Sequence, residues 1–184
     1  MAPKSKITKE EIVDAALLLV ENHGKDELNA RSLARALGIS TQPIFSNFEN
    51  MEALKAAVGR RATDVYLSYV SDTASTGLYP PYKSSGIAYI RFAKEKRELF
   101  KLVFMDGDGK YDSDAYHDII DAMAKANGIA KDDALNLHLR MWVFVHGIAT
   151  MIATEYIDFE EEYASKMITD VYNGLLFQYK TKGE

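Results

Sequence analysis

The chain has 184 residues, of which 47% are hydrophobic and 27% charged, with four Pro and eleven Gly, a composition that excludes disordered, collagen-like and low-complexity readings. The absence of Cys excludes disulfide frameworks, thiolate metal sites, thiol catalysis and cysteine redox sensing together, and permits a reducing, cytoplasmic compartment. The net charge of -5 is unevenly spread: up to Arg61, nine Lys and Arg stand against eight Asp and Glu, and beyond it thirteen stand against nineteen. A nucleic-acid contact therefore belongs to the first third, because the acidic remainder repels phosphate.

Lys4, Lys6 and Lys9 run into Glu10 and Glu11 with no apolar stretch, so the N-terminus does not read as a secretory signal. Thr8 and Glu11 make a T-x-x-E capping box, with Ile7 and Ile12 placed as a hydrophobic staple. Ile12, Ala16, Leu19 and Val20 follow at helical spacing, and Gly24 is placed to end that first helix. Asn29 caps a second, two-turn helix with Leu33, Ala34 and Leu37 inward, and Gly38 supplies the positive φ needed to leave it. Ser40 is placed to cap a third helix, three residues on, whose first turn tolerates Pro43 and whose anchors are Ile44, Phe45 and Phe48.

Asn50 opens a long helix through Met51, Leu54, Val58, Val65 and Tyr69 that fades in the Ser/Thr/Gly-rich stretch to Gly77, and Leu78 to Tyr82 reads as a loop. Helical patterns follow over Ser84 to Ala93, Lys96 to Met105, Asp114 to Asn127, Asp132 to Tyr156 and Phe159 to Tyr179. The uncharged run Met141 to Thr154 is shorter than the roughly 18 residues of a spanning helix and reads as buried core. No segment alternates with period two, so the expected fold is all-α with about nine helices.

Two short helices joined by a glycine turn, with small Ala34 where they cross, fit a helix-turn-helix, whose second helix enters the DNA major groove. An αα corner in any helical bundle gives the same spacing. The exposed chemistry favours DNA: with Ile44 and Phe48 inward, Thr41, Gln42, Pro43, Ser46 and Asn47 face outward, and Gln pairs bidentately with adenine.

The runs "ITKEEIVDAALLLVENHG", "LNARSLARALGISTQPIFSNF" and "ENMEAL", from Ile7 through Leu54, resemble the DNA-binding region of the TetR family of bacterial transcriptional repressors. Trp142, His146 and Gly147, spaced W-x-x-x-H-G, are similar to the WHG-type regulatory domain of some members. The resemblance implies a homodimer of nine-helix subunits, with helices one to three on DNA and the last two helices at the dimer interface. It also implies release from DNA when a small molecule enters the larger domain. On the matching positions Ser40 caps the recognition helix and Thr41, Gln42 and Pro43 read bases. Phe45, Asn47 and Met51 depart from the family's usual Tyr, His and Lys, so phosphate anchoring shifts to Lys6, Arg31, Ser32, Ser46 and Lys55.

The expected domains are residues 1-50 for DNA and 51-184 for effector binding and dimerisation. Tyr89, Phe92, Phe100, Phe104, Met105, Met123, Trp142 and His146 would suit a pocket for an apolar or amphipathic effector, with a packed core as the plainer reading of each. Val145, Gly147, Ile148 and Ile152, with Met167, Val171, Gly174, Leu175 and Phe177, offer a surface for a second copy. Asp106 to His117 resembles a calcium loop only at its first two ligand positions and fails at Lys110, Tyr111 and His117. His138 and His146, about 80 degrees apart on one helix, read as core histidines. No catalytic residue, metal or cofactor is assigned, and no membrane partner is expected. The function so read is a repressor released from a palindromic operator by its effector; the alternative is a helical ligand-binding or interaction protein without DNA affinity.

Overall fold

The computed structural model describes residues 7–106 and 116–181, which fold as nine α-helices and one 3-10 turn, with no strand among them. In chain order these are α1 (Lys9–His23), α2 (Ala30–Leu37), α3 (Gln42–Asn47), α4 (Met51–Ser75), α5 (Pro81–Glu95), α6 (Arg97–Phe104), α7 (His117–Asn127), α8 (Lys131–Ala153) and α9 (Glu161–Lys180). The chain forms two compact units. One runs to Ser68 and takes in the stretch from Lys96 that carries α6; the other holds Tyr69–Glu95 and α7 to α9.

In the first unit the capping box forms in full, Thr8 Oγ1 accepting from Glu11 N–H and Glu11 accepting from Thr8 N–H. Ile12, Ala16 and Val20 of α1 are buried with Leu33 of α2, Ile44 of α3, Leu54 and Val58 of α4, and Leu99 and Phe100 of α6. Periodicity predicts α6 as a helix but not its place in the first unit. Its tie to α1 is partly electrostatic: Lys96 pairs with Glu21 and, beyond the helix, Asp106 pairs with Lys25, each at 2.5 Å. Phe104 meets Tyr66 edge to face at 5.0 Å.

The second unit is built on α5 lying against α8 and α9. Ile87, Ala88, Phe92 and Ala93 of α5 are fully buried, as are Leu137, Ala149 and Ala153 of α8 and Ala164 of α9. At Gly86 a β-carbon would sit 3.6 Å from a Val145 methyl and 3.7 Å from an Ile168 methyl, which measures how closely α5 approaches its neighbours.

Three of the element ends that differ from the sequence reading have a local physical cause. α3 starts at Gln42 with Thr41, not Ser40, as N-cap and no side-chain cap, so the turn is one residue longer than expected. α5 starts at Pro81, because proline at the first helical position loses no hydrogen bond there. α8 stops at Ala153 because Glu155 takes φ 58, a left-handed stop usually made by glycine, and Tyr156 N–H bonds back to Met151 O at 2.9 Å. The calcium-like segment lies mostly outside the described residues.

Candidate nucleic-acid interface

The first unit presents α2 and α3 as a helix-turn-helix. Asn29 Oδ1 accepts from the N–H groups of Arg31 and Ser32 at 3.1 and 3.0 Å, fixing the start of α2. Gly38 adopts φ 65, ψ 31, and the following Ile39 N–H bonds to Ala34 O at 3.0 Å, so the chain leaves α2 in a left-handed turn that glycine takes without strain. Ala34 is buried, and Ile44 and Phe48 at 0% and 3% exposure turn one side of α3 into the core. The opposite side is then committed to solvent: Gln42, Phe45 and Ser46 are exposed, and Thr41, Pro43 and Asn47 are half-buried.

Not all of these polar groups are directed outward. Ser46 Oγ donates to Gln42 O and Asn47 Nδ2 to Pro43 O, each at 2.9 Å, so both side chains fold back onto the carbonyls one turn before them. Arg31 and Arg35 of α2 are exposed, with no ion pair found for either among the described residues. Ser32 Oγ reaches Glu27 at 3.5 Å, and Lys55 pairs with Glu52 at 3.3 Å. Ser40 is exposed in the turn, Met51 is half-buried at the start of α4, and Lys6 lies outside the described residues. Lys9, absent from the sequence-derived set, sits over the Phe48 ring at 4.9 Å and brings an ammonium to the outer edge of α3's anchor. Arg35, also outside that set, is exposed one turn after Arg31.

The eight effector candidates are drawn from both units. Phe100, Phe104 and Met105 belong to the first unit with α6, whereas Tyr89, Phe92, Met123, Trp142 and His146 belong to the second. Within the second, Tyr89 Oη lies 2.8 Å from His146 Nδ1, and the Trp142 and His146 rings stack with a 5.2 Å centroid separation and 2° between planes. A second such pair crosses the same helices: Tyr82 Oη lies 3.0 Å from His138 Nδ1, with the Tyr116 ring 4.8 Å from the imidazole. Burial disfavours the imidazolium and lowers both histidine pKa values from 6.5. Unfolding therefore takes up protons below about pH 6.5, and stability is full above that pH and falls as pH drops through the lowered folded values. Denaturant unfolding from pH 7.5 to 5 is expected to show this loss, flattened in His138→Gln combined with His146→Gln. An unchanged pH slope in that variant would contradict it.

The same unit holds a clasp at the start of α9. Arg91 binds Glu161 through two nitrogens, Nη2 at 2.6 Å to Oε1, and Tyr79 Oη donates to Glu161 Oε1 at 3.0 Å. Arg91, with Tyr79 and Lys94 adding to it, holds the Glu161 carboxyl below its ordinary range, and Glu161 raises Arg91 in turn. Away from the candidate interface, α1 and α4 border an open groove of about 420 Å³ lined by Asp14, Leu17, Leu18, Arg61, Asp64, Val65 and Ser68.

Residues 83–171 match a family model described as Tetracyclin repressor-like, C-terminal domain. That segment is thus similar to such a domain. Over its length the chain is similar to the uncharacterised HTH-type transcriptional regulator YobS of Bacillus subtilis strain 168, 21% identical over 98% of both chains. A second relative, the uncharacterised HTH-type transcriptional regulator Rv0681 of Mycobacterium tuberculosis H37Rv, is 22% identical over 86% of this chain and 76% of its own. The fold is shared with the crystal structure of a proposed transcriptional regulator from Pseudomonas aeruginosa PAO1, at TM-score 0.69, 14% identity and 95% coverage of both chains.

The matched segment 83–171 also carries most of the residues considered for a dimer. Ile148 and Ile152 are each 1% exposed and lie in the chain's own core, Val145 lies 3.6 Å from where a Gly86 β-carbon would sit, and Val171 and Leu175 are half-buried. Gly147 and Gly174 have nothing within 4 Å of a built β-carbon, and Met167 is half-buried. Phe177 is 66% exposed, with Val143 at 63% and Tyr163 at 57%, two residues that sequence spacing did not single out. Among the described residues no helix is long and apolar enough to cross a membrane.

Proposed function

We propose that the chain is a sequence-specific DNA-binding transcriptional regulator, a homodimeric repressor released from a palindromic operator by a small-molecule effector. The observation that carries this is the α2–α3 pair: a left-handed Gly38 turn, Ile44 and Phe48 inward, and Thr41, Gln42 and Phe45 on the outer side. The relatives named as HTH-type regulators and the repressor-like match over 83–171 support it. One two-turn helix reads few bases, so a twofold pair and a near-palindromic site are the economical arrangement.

The effector reading centres on Tyr89, Trp142 and His146, where an aromatic wall adjoins an imidazole that exchanges hydrogen bonds. Helix α4 is one continuous helix through both units, which suits it to transmit a change. The effector must bind a DNA-incompetent state more tightly than the competent one, since equal affinity shifts nothing. The second reading, a helical ligand-binding or interaction protein without DNA affinity, is favoured by the inward-folded Ser46 and Asn47 and by apolar Phe45 and Met51.

Selection of bound duplexes from a random library tests the proposal: enrichment of a twofold-related motif is expected, and recovery of no motif contradicts it. On that motif Gln42→Ala should relax preference at one base per half-site at a cost of about 1–3 kcal/mol, while Arg31→Ala should weaken all sequences about equally. Anisotropy titrations check this, and the reverse pattern would refute the assigned roles.

A further inference from the structure

Phe45 is 47% exposed and, across α2, the turn and α3, is the one large apolar side chain left exposed among the described residues. Exposing a phenyl ring forfeits burial with no gain to the fold, and the positions around it show that exposure here is not a general feature of α3: Ile44 before it and Phe48 after it are in the core. Ser46 and Asn47 spend their polar atoms on the Gln42 and Pro43 carbonyls. The outer side of α3 therefore offers two fully exposed, unlike groups one turn apart, the Gln42 amide and the Phe45 ring, beside half-buried Thr41 and Pro43.

The major-groove edges of the four bases are donors and acceptors with one exception, the C5-methyl group of thymine. A phenyl ring can match that feature and no other. We propose that Phe45 reads a thymine methyl in each half-site, an assignment that rests on the DNA-binding proposal above and adds a base identity to it. Residues three apart on a helix rise about 4.5 Å and base pairs stack about 3.4 Å apart, so the thymine lies one or two base pairs from the one read by Gln42.

Deoxyuridine differs from thymidine only by that methyl group, which makes the test direct. The selected duplex is synthesised with each thymine in turn replaced symmetrically by deoxyuridine, and affinity is measured for the full chain and for Phe45→Ala and Phe45→Leu. The native chain is expected to lose about fourfold per half-site at one thymine, the value of burying one methyl group. Phe45→Ala should bind the two duplexes within twofold of each other, and Phe45→Leu should keep part of the difference. Thermal unfolding of Phe45→Ala should match the native chain, since the ring is exposed. If no deoxyuridine weakens native binding, or if the loss persists undiminished in Phe45→Ala, the assignment is overturned. A uniform loss for Phe45→Ala with no dependence on any methyl would assign the ring to a sugar contact instead and overturn it equally. Failure of the native chain to bind any duplex is a different result: it removes the DNA-binding proposal and this assignment with it.

Discussion

Phe92→Ala is expected to lower the stability of the second unit by about 3–5 kcal/mol, the cost of deleting a fully buried aromatic ring and leaving a cavity. Phe92 is 0% exposed on α5 and meets Tyr69, at the end of α4, edge to face at 5.5 Å. Tyr69 is itself tied to α5 by its hydroxyl, which donates to Glu95 at 2.8 Å, so the cavity opens under a contact held at both ends and collapses poorly. Urea unfolding followed by circular dichroism measures it, with the loss read on the transition of the unit that contains α5, α8 and α9. Exposed Phe45 gives the control, since its replacement by Ala should stay within about 0.5 kcal/mol of the native chain. A loss below 1 kcal/mol for Phe92→Ala would mean that the ring is not a core element.

On the dimer and operator proposed above, Val143→Glu combined with Phe177→Glu should give a monomer and lower operator affinity by about 10²- to 10⁴-fold, because two linked half-site contacts become single ones. Both side chains are more than 60% exposed, on α8 and α9, helices that pack together, and Gly147 and Gly174 leave open space on the same two helices. Four carboxylates gathered about a twofold axis repel each other and cannot be buried unpaired. The substituted positions contribute little to the subunit's own core, so secondary structure should survive. Sedimentation at micromolar concentration, with anisotropy on the same samples, checks both halves. A monomeric native chain, or a variant that stays dimeric, contradicts this interface.

The fold was legible where the chemistry is local. The Thr8 and Glu11 box, the Asn29 cap, and the glycine stops at Gly24 and Gly38 each act within one turn, and the helices begin or end beside all of them. Glu155 shows the limit: nothing in its side chain signals a left-handed stop, so periodicity carried α8 on to Tyr156. The assignment of α6 to the first unit depends on Lys96, Asp106 and Phe104 finding partners 38 to 81 residues away, which no window along the chain can display. For the same reason the effector candidates, chosen by residue type, divide between units, while Trp142 and His146, chosen by spacing, stack. On α3 the inward positions followed from helical geometry. The return of Ser46 and Asn47 to their own backbone did not, because an exposed polar residue has a choice of partners that sequence leaves open.

The most direct test of the DNA-binding role of α2 and α3 is fluorescence anisotropy of the full chain on the fragment upstream of its own gene, against a scrambled duplex, from 50 to 300 mM salt. The result expected is tight, saturable binding to the upstream fragment, at least about 100-fold weaker binding to the scrambled one, and affinity falling steeply with salt as Arg31, Arg35 and Lys9 displace counterions. Arg31→Ala should reduce the slope by about 1 per subunit. Equal weak binding to both duplexes, or none to either at low salt, would contradict the assignment.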